Sequence, residues 1–151
     1  MLRVDHIVFP VWDAEASLAF YRDVMGFPLV ATYTGEDWGG YPWLMMIFAT
    51  GDGREIVLVS LNGAKRPPRD KLPMDVRHLA FAERSRKALD PWRTKLKSRN
   101  IEFWEEQHGP QRSLYFEDPN GVILEITAPA SRPAKQTQRS ALLAARRWMS
   151  A

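Results

Sequence analysis

The chain has 151 residues, the size of one ordinary domain, and its 45% apolar and 26% charged residues exclude a disordered or fibrous protein. It has no cysteine, which excludes a disulfide framework, thiolate metal sites and a cysteine nucleophile. No apolar run approaches the roughly 20 residues of a membrane span, and the start Met1-Leu2-Arg3-Val4-Asp5 shows no apolar leader, so a cytoplasmic protein with no membrane partner is expected.

Val4-Asp5-His6-Ile7-Val8-Phe9 opens the chain as a strand-like run and returns 72 residues later as Val76-Arg77-His78-Leu79-Ala80-Phe81. After the first copy, Asp13 is a helix N-cap. Ala14, Leu18, Tyr21 and Met25 follow at helical spacing, and Gly26 is a stop. Three strands are predicted next, at Pro28–Thr34, Trp43–Thr50 and Arg54–Leu61. Residues 62–73, with three prolines and four basic residues, read as a linker. After the second copy, Ser85 precedes a helix carrying Leu89, Trp92 and Leu96, or the helix starts near Asp90 with Pro91 at its first position. Strands at Ile101–Glu106, Ser113–Glu117 and Val122–Ala128 complete the half, and Asp118-Pro119-Asn120-Gly121 joins the last two as a turn. The order is βαβββ twice: an α+β domain over 1–128, with module one at 1–61 and module two at 74–128.

Residues 129–151 form a basic tail with a short amphipathic helix, Gln138 to Met149. The tail carries Arg132, Lys135, Arg139, Arg146 and Arg147 and no acid, while the chain as a whole has net charge +3. The body is therefore mildly acidic, and with no recognition motif beside the tail, no nucleic-acid partner is expected.

His6 and His78 occupy equivalent positions of two equivalent strands, so approximate twofold packing of the halves would bring the imidazoles to one point. Glu125 sits between Leu124 and Ile126 in the last core strand. An unpaired charge there is costly, so it is a metal ligand, one half of a buried ion pair, or a residue on an exposed sheet face. Two histidines and a carboxylate with open positions suit non-haem Fe(II) and catalytic zinc.

On the doubled βαβββ order, on Asp5–Phe9 and Arg77–Phe81 opening the modules, and on Ser113-Leu114-Tyr115-Phe116-Glu117-Asp118-Pro119-Asn120-Gly121-Val122-Ile123-Leu124-Glu125 closing the second, the chain resembles the vicinal oxygen chelate superfamily. That superfamily includes glyoxalase I, epimerases, fosfomycin- and bleomycin-resistance proteins and extradiol dioxygenases. The resemblance implies a cup-shaped mixed sheet and one divalent metal at His6, His78 and Glu125, with Fe(II) favoured and Mn, Zn or Ni as alternatives. It also implies a small substrate with two neighbouring oxygens, and a homodimer, with the site inside one chain or across two. The fourth ligand of glyoxalases and epimerases falls on Val57, which binds no metal; Glu55, two residues away, would need a shifted strand.

The Arg112–Phe116 run resembles the fosfomycin branch, but Val8 replaces its usual threonine. The extradiol signature is matched by His108, Leu114-Tyr115, Asp118-Pro119, Gly121 and Glu125. It implies catalytic roles for Tyr115 and His108, although that branch's acid–base histidine has no counterpart. A metal-free drug-binding protein is the alternative of another class. A regular hairpin flanked by Asp118 and Gly121 would turn Tyr115 away from Glu125, whereas the resemblance implies a bulge or longer loop that turns it toward Glu125. Trp12, Trp38, Tyr41, Trp43, Phe103 and Trp104 are candidates to line the cup, with half or more of them expected to be simply core, and Glu36–Tyr41 is a lid candidate.

Overall fold

The computed structural model describes residues 2–129 and 137–150. Module one comprises β1 (His6–Val11), α1 (Ala14–Ala19), β2 (Leu29–Gly35), β3 (Trp43–Ala49) and β4 (Glu55–Leu61). Module two comprises β5 (His78–Ala82), α2 (Leu89–Ser98), β6 (Phe103–His108), β7 (Gln111–Glu117) and β8 (Ile123–Ala128). The sheets run β1-β4-β3-β2 and β5-β8-β7-β6, with β1 parallel to β4, β5 parallel to β8, and the other pairs antiparallel. This is the expected doubled βαβββ architecture, with the expected C-terminal helix α3 (Gln138–Met149). Among the described residues no helix is long and apolar enough to cross a membrane.

Strand alternation separates two faces in each sheet. Ile56, Leu58, Leu124 and Ile126 point into the shared core with Leu89 and Leu96 of α2. Aromatic residues join the modules there: Phe20 meets Phe116 with ring centroids 6.3 Å apart, and Phe27 meets Phe81 at 5.2 Å. The helices and core therefore lie on one side of each sheet, and the opposite faces are left for other uses.

Two local departures from the sequence reading have simple causes. The first helix does not stay α-helical to Met25. Phe20–Val24 is a π turn, with Met25 N–H donating to the Phe20 carbonyl at 3.0 Å. Phe20, Tyr21, Val24 and Met25 of this segment all enter the core. In module two a 3-10 turn (Arg86–Ala88) precedes α2, so Pro91 is the third residue of the helix, where a backbone N–H has no intrahelical acceptor to lose.

The Asp118–Gly121 turn does more than join two strands. Asp118 Oδ1 accepts from the N–H groups of Asn120 and Val122, both at 2.8 Å. Its Oδ2 accepts from the Tyr21 hydroxyl at 3.1 Å and the Asn120 amide at 3.2 Å. Asn120 in turn accepts from Trp12 N–H at 2.9 Å and donates to Ser17 Oγ at 2.9 Å. The turn that closes module two is thus latched to the first helix of module one by buried polar groups. Burial and the Asp118 charge push the Tyr21 phenol well above the ordinary tyrosine range.

Candidate metal centre

Register fixes which side chains share the outward face of module two. His78 and Ala80 of β5 pair with Ile123 and Glu125 of β8. Glu125 pairs with Tyr115 of β7, which pairs with Trp104 of β6. Ser113, Glu106, His108 and Thr127 belong to the same face by alternation. The hairpin decides the placement of Tyr115. Asp118 N–H bonds to the Val122 carbonyl at 2.9 Å, so five residues separate the paired Glu117 and Ile123. Gly121, at φ +89°, absorbs the additional residue in the left-handed region. Tyr115 therefore lies opposite Glu125, and not opposite Leu124.

Glu125 is buried, at 8% exposure, with His78 Nε2 at 2.9 Å from its Oε2. The other ring nitrogen of His78 is held by the Asp75 carbonyl, 2.6 Å from Nδ1. His6 repeats this arrangement, with Nδ1 2.8 Å from Asp5 Oδ2. Holding Nδ1 presents Nε2 outward, the usual orientation of a metal-binding imidazole with its supporting partner. Tyr115 stands edge-on to His78 (centroids 5.7 Å) and stacked on Trp104 (5.4 Å, 16° between planes). Burial and then the Glu125 carboxylate push its phenol up to about 12. Glu106 accepts from Trp104 Nε1 at 3.1 Å and lies 3.0 Å from His108 Nε2.

The chain's own residues fit a divalent cation in part. His78 and Glu125 form a nitrogen and oxygen donor pair on one face, and the structure brings these two together. It does not bring His6 to them. Among the described residues no group of three His, Asp or Glu side chains stands close enough to hold an ion. His6 lies on the outward face of module one, opposite Glu55 across the β1–β4 pairing. Val57 pairs with Val8, as Glu125 pairs with Ala80, so an apolar residue occupies the position equivalent to the carboxylate. His108 ends β6 at its exposed tip. It lies four positions beyond Trp104, about 13 Å along a strand, so it stands at the rim, away from the His78–Glu125 pair.

Of the aromatic candidates, Trp104 is on this face and Phe103 packs against the core. Trp38 is exposed and meets Trp43 edge-on at 5.6 Å. The Glu36–Tyr41 segment is tied by Trp38 N–H to the Tyr41 carbonyl at 2.8 Å. The sequence reading missed Glu106, whose placement two residues from both Trp104 and His108 on a strand was the available signal.

Residues 3–126 match the model of the glyoxalase, bleomycin-resistance protein and dioxygenase superfamily. The chain belongs to that superfamily. The metallothiol transferase FosB of Staphylococcus epidermidis is 25% identical over 128 residues, covering 82% of this chain and 79% of that protein. A glyoxalase, bleomycin-resistance protein and dioxygenase domain from a Frankia species superposes with a TM-score of 0.68 at 22% identity, over 84% of this chain and 97% of its own. The fosfomycin-resistance protein FosX of Listeria monocytogenes, a glutamate-to-glutamine point mutant complexed with Mn(II) and 1S,2S-dihydroxypropylphosphonic acid, gives a TM-score of 0.64 at 20% identity, over 94% and 98% of the two chains. Both likenesses establish the superfamily fold.

Proposed function

We propose that this superfamily member is a divalent-metal-dependent enzyme acting on a small substrate with two neighbouring oxygens, and that each site is completed by a second copy of the chain. The observation that carries the reading is the buried Glu125 carboxylate, 2.9 Å from an imidazole nitrogen whose ring partner is already fixed. The third ligand is His6 of the second copy. β1 and β5, the strands that carry the two histidines, each lie at the edge of their sheet, and bringing β1 of one copy beside β5 of another would join the two faces. Fe(II) is the favoured ion, and Mn, Zn and Ni remain alternatives. The Mn(II) in the FosX complex supports a divalent ion.

When bound, the metal supplies Lewis acidity that lowers the pKa of a chelated hydroxyl. Tyr115, its phenol raised first by burial, is protonated near neutral pH and donates a hydrogen bond to a substrate oxygen developing negative charge. Trp104 fixes that phenol by stacking, and Glu106 holds the Trp104 indole in turn. Ser113 and Gln111 both donate to Thr127 Oγ1, at 3.0 and 3.1 Å, and continue a polar row toward the rim. There His108 meets the outer part of a bound molecule.

Within the superfamily we favour extradiol-like ring cleavage of a neutral dihydroxy aromatic. The face carries Glu106, Glu117 and Glu125, and Glu117 already engages Arg69, so a phosphonate dianion would meet carboxylates. Thiol transfer of the fosfomycin-resistance kind is the second reading, supported by the 25% identity to FosB. The test is to load metal-free protein separately with Fe(II), Mn(II), Zn(II) and Ni(II), then measure oxygen uptake with a panel of catechols and consumption of fosfomycin with thiols. Oxygen uptake with the Fe(II) form and a catechol is expected. Thiol-dependent loss of fosfomycin without oxygen uptake would move the protein to the second reading, and failure to retain any metal would overturn both.

A further inference from the structure

The linker is more than a tether. Residues 66–73 fold back over the seam between the modules and line a cavity of about 680 Å³. That lies within the range of small-ligand sites. Its apolar walls include Phe9 and Trp12 of module one and Leu79 and Val122 of module two. Its polar groups are unbalanced, with Arg66, Arg69 and Arg77 against Asp70 as the one carboxylate in the lining. Arg77 is paired with Asp70, and Arg69 with Glu117. No carboxylate or carbonyl among the described residues accepts a hydrogen bond from Arg66. Its guanidinium lies against Gly121 so closely that a Cβ there would collide with it, and Gly121 holds φ +89°, where glycine is favoured in any case.

We infer that this cavity binds a small organic carboxylate with a flat apolar body, with Arg66 as the residue that recognises the carboxylate. The guanidinium offers a planar, paired set of donors matched to a carboxylate. The aromatic and aliphatic walls take the apolar body, and the neighbouring arginines keep the site positive. Of the groups assigned to the metal centre, His78 also lines this cavity, whereas Tyr115 and Glu125 do not. Phe9 and Leu79 belong to the core-side faces of β1 and β5, as the alternation from His6 and His78 requires.

The test uses metal-free full-length protein, so it is independent of the metal reading, with 2-naphthoate as probe and NMR of backbone amides and indoles as readout. Saturable shifts are expected at Gly121, Val122 and the Trp12 indole. The charge-assisted contact predicts that Arg66→Gln weakens binding by about tenfold or more. Neutral 2-naphthamide should likewise bind about tenfold more weakly or worse. Amide spectra of Arg66→Gln check that the exposed linker substitution leaves the fold in place, and Arg66→Lys should restore part of the affinity. Shifts centred on Tyr115 and Glu125, equal binding of the amide, unchanged affinity in Arg66→Gln, or no shift at all would each overturn the inference.

Discussion

Asn120→Ala removes the central group of the latch between the two modules. Asn120 is 7% exposed and makes three hydrogen bonds with its side chain, to Trp12 N–H, Ser17 Oγ and the Asp118 carboxylate. The two neutral bonds contribute about 1 kcal/mol each and the one to a carboxylate about 1.5–3 kcal/mol. Ser17 retains its bond to the Asp13 carbonyl at 2.5 Å, so little is left stranded on that side. The Trp12 N–H loses its acceptor, and the expected loss of stability is about 3–5 kcal/mol. For a domain of this size that lowers Tm by about 10 °C. Urea denaturation with circular dichroism and Trp fluorescence measures it, since several tryptophans report module one. A loss below about 1 kcal/mol would show that the modules are held by the aromatic core alone and that the latch is ornamental.

Three further outcomes follow from particular residues. The raised phenol of Tyr21 means that the native state keeps a proton that the unfolded chain loses above pH about 10. Its contribution is therefore fully present below that pH and is lost as pH rises further. Wild-type stability should fall more steeply than that of Tyr21→Phe above pH about 10, and parallel pH profiles would contradict this. Tyr115→Phe should lower kcat by about tenfold to a hundredfold while metal content stays at the wild-type level, because the phenol donates a hydrogen bond and is not a ligand. Unchanged turnover would remove Tyr115 from the chemistry. Truncation after Ala128 should leave metal content intact, as determined by elemental analysis, because no ligand candidate lies beyond Glu125 and every described residue of α3 is exposed.

The repeat made much of this legible. A histidine recurring after 72 residues located both edge strands, and a carboxylate between Leu124 and Ile126 marked the face opposite the core. Alternation then separated Glu125 from its apolar neighbours correctly. What alternation does not encode is how the chain turns. The placement of Tyr115 depended on Gly121 adopting a left-handed conformation. The predicted strand ended at Glu106, yet β6 continues through His108 because Gly109 and Pro110 alone form the connection to Gln111. The separation of His6 from His78 was also out of reach, because a repeat fixes equivalent positions without fixing which copy's strand lies alongside. The role of Asn120 needed the tertiary structure, since its partners lie 103 and 108 residues away.

The central claim is that one metal is shared between His6 of one copy and His78 with Glu125 of another. Mixing two variants tests it most directly. His6→Ala and His78→Ala proteins are each purified, unfolded together in equal amounts, refolded, loaded with Fe(II) or Mn(II) and analysed for bound metal. Each variant alone should hold little. In a twofold-symmetric dimer, random pairing leaves half the dimers mixed, each with one intact and one doubly damaged site, so about a quarter of the wild-type metal should return. Metal in the mixture no greater than in the separate variants would contradict a site shared between copies.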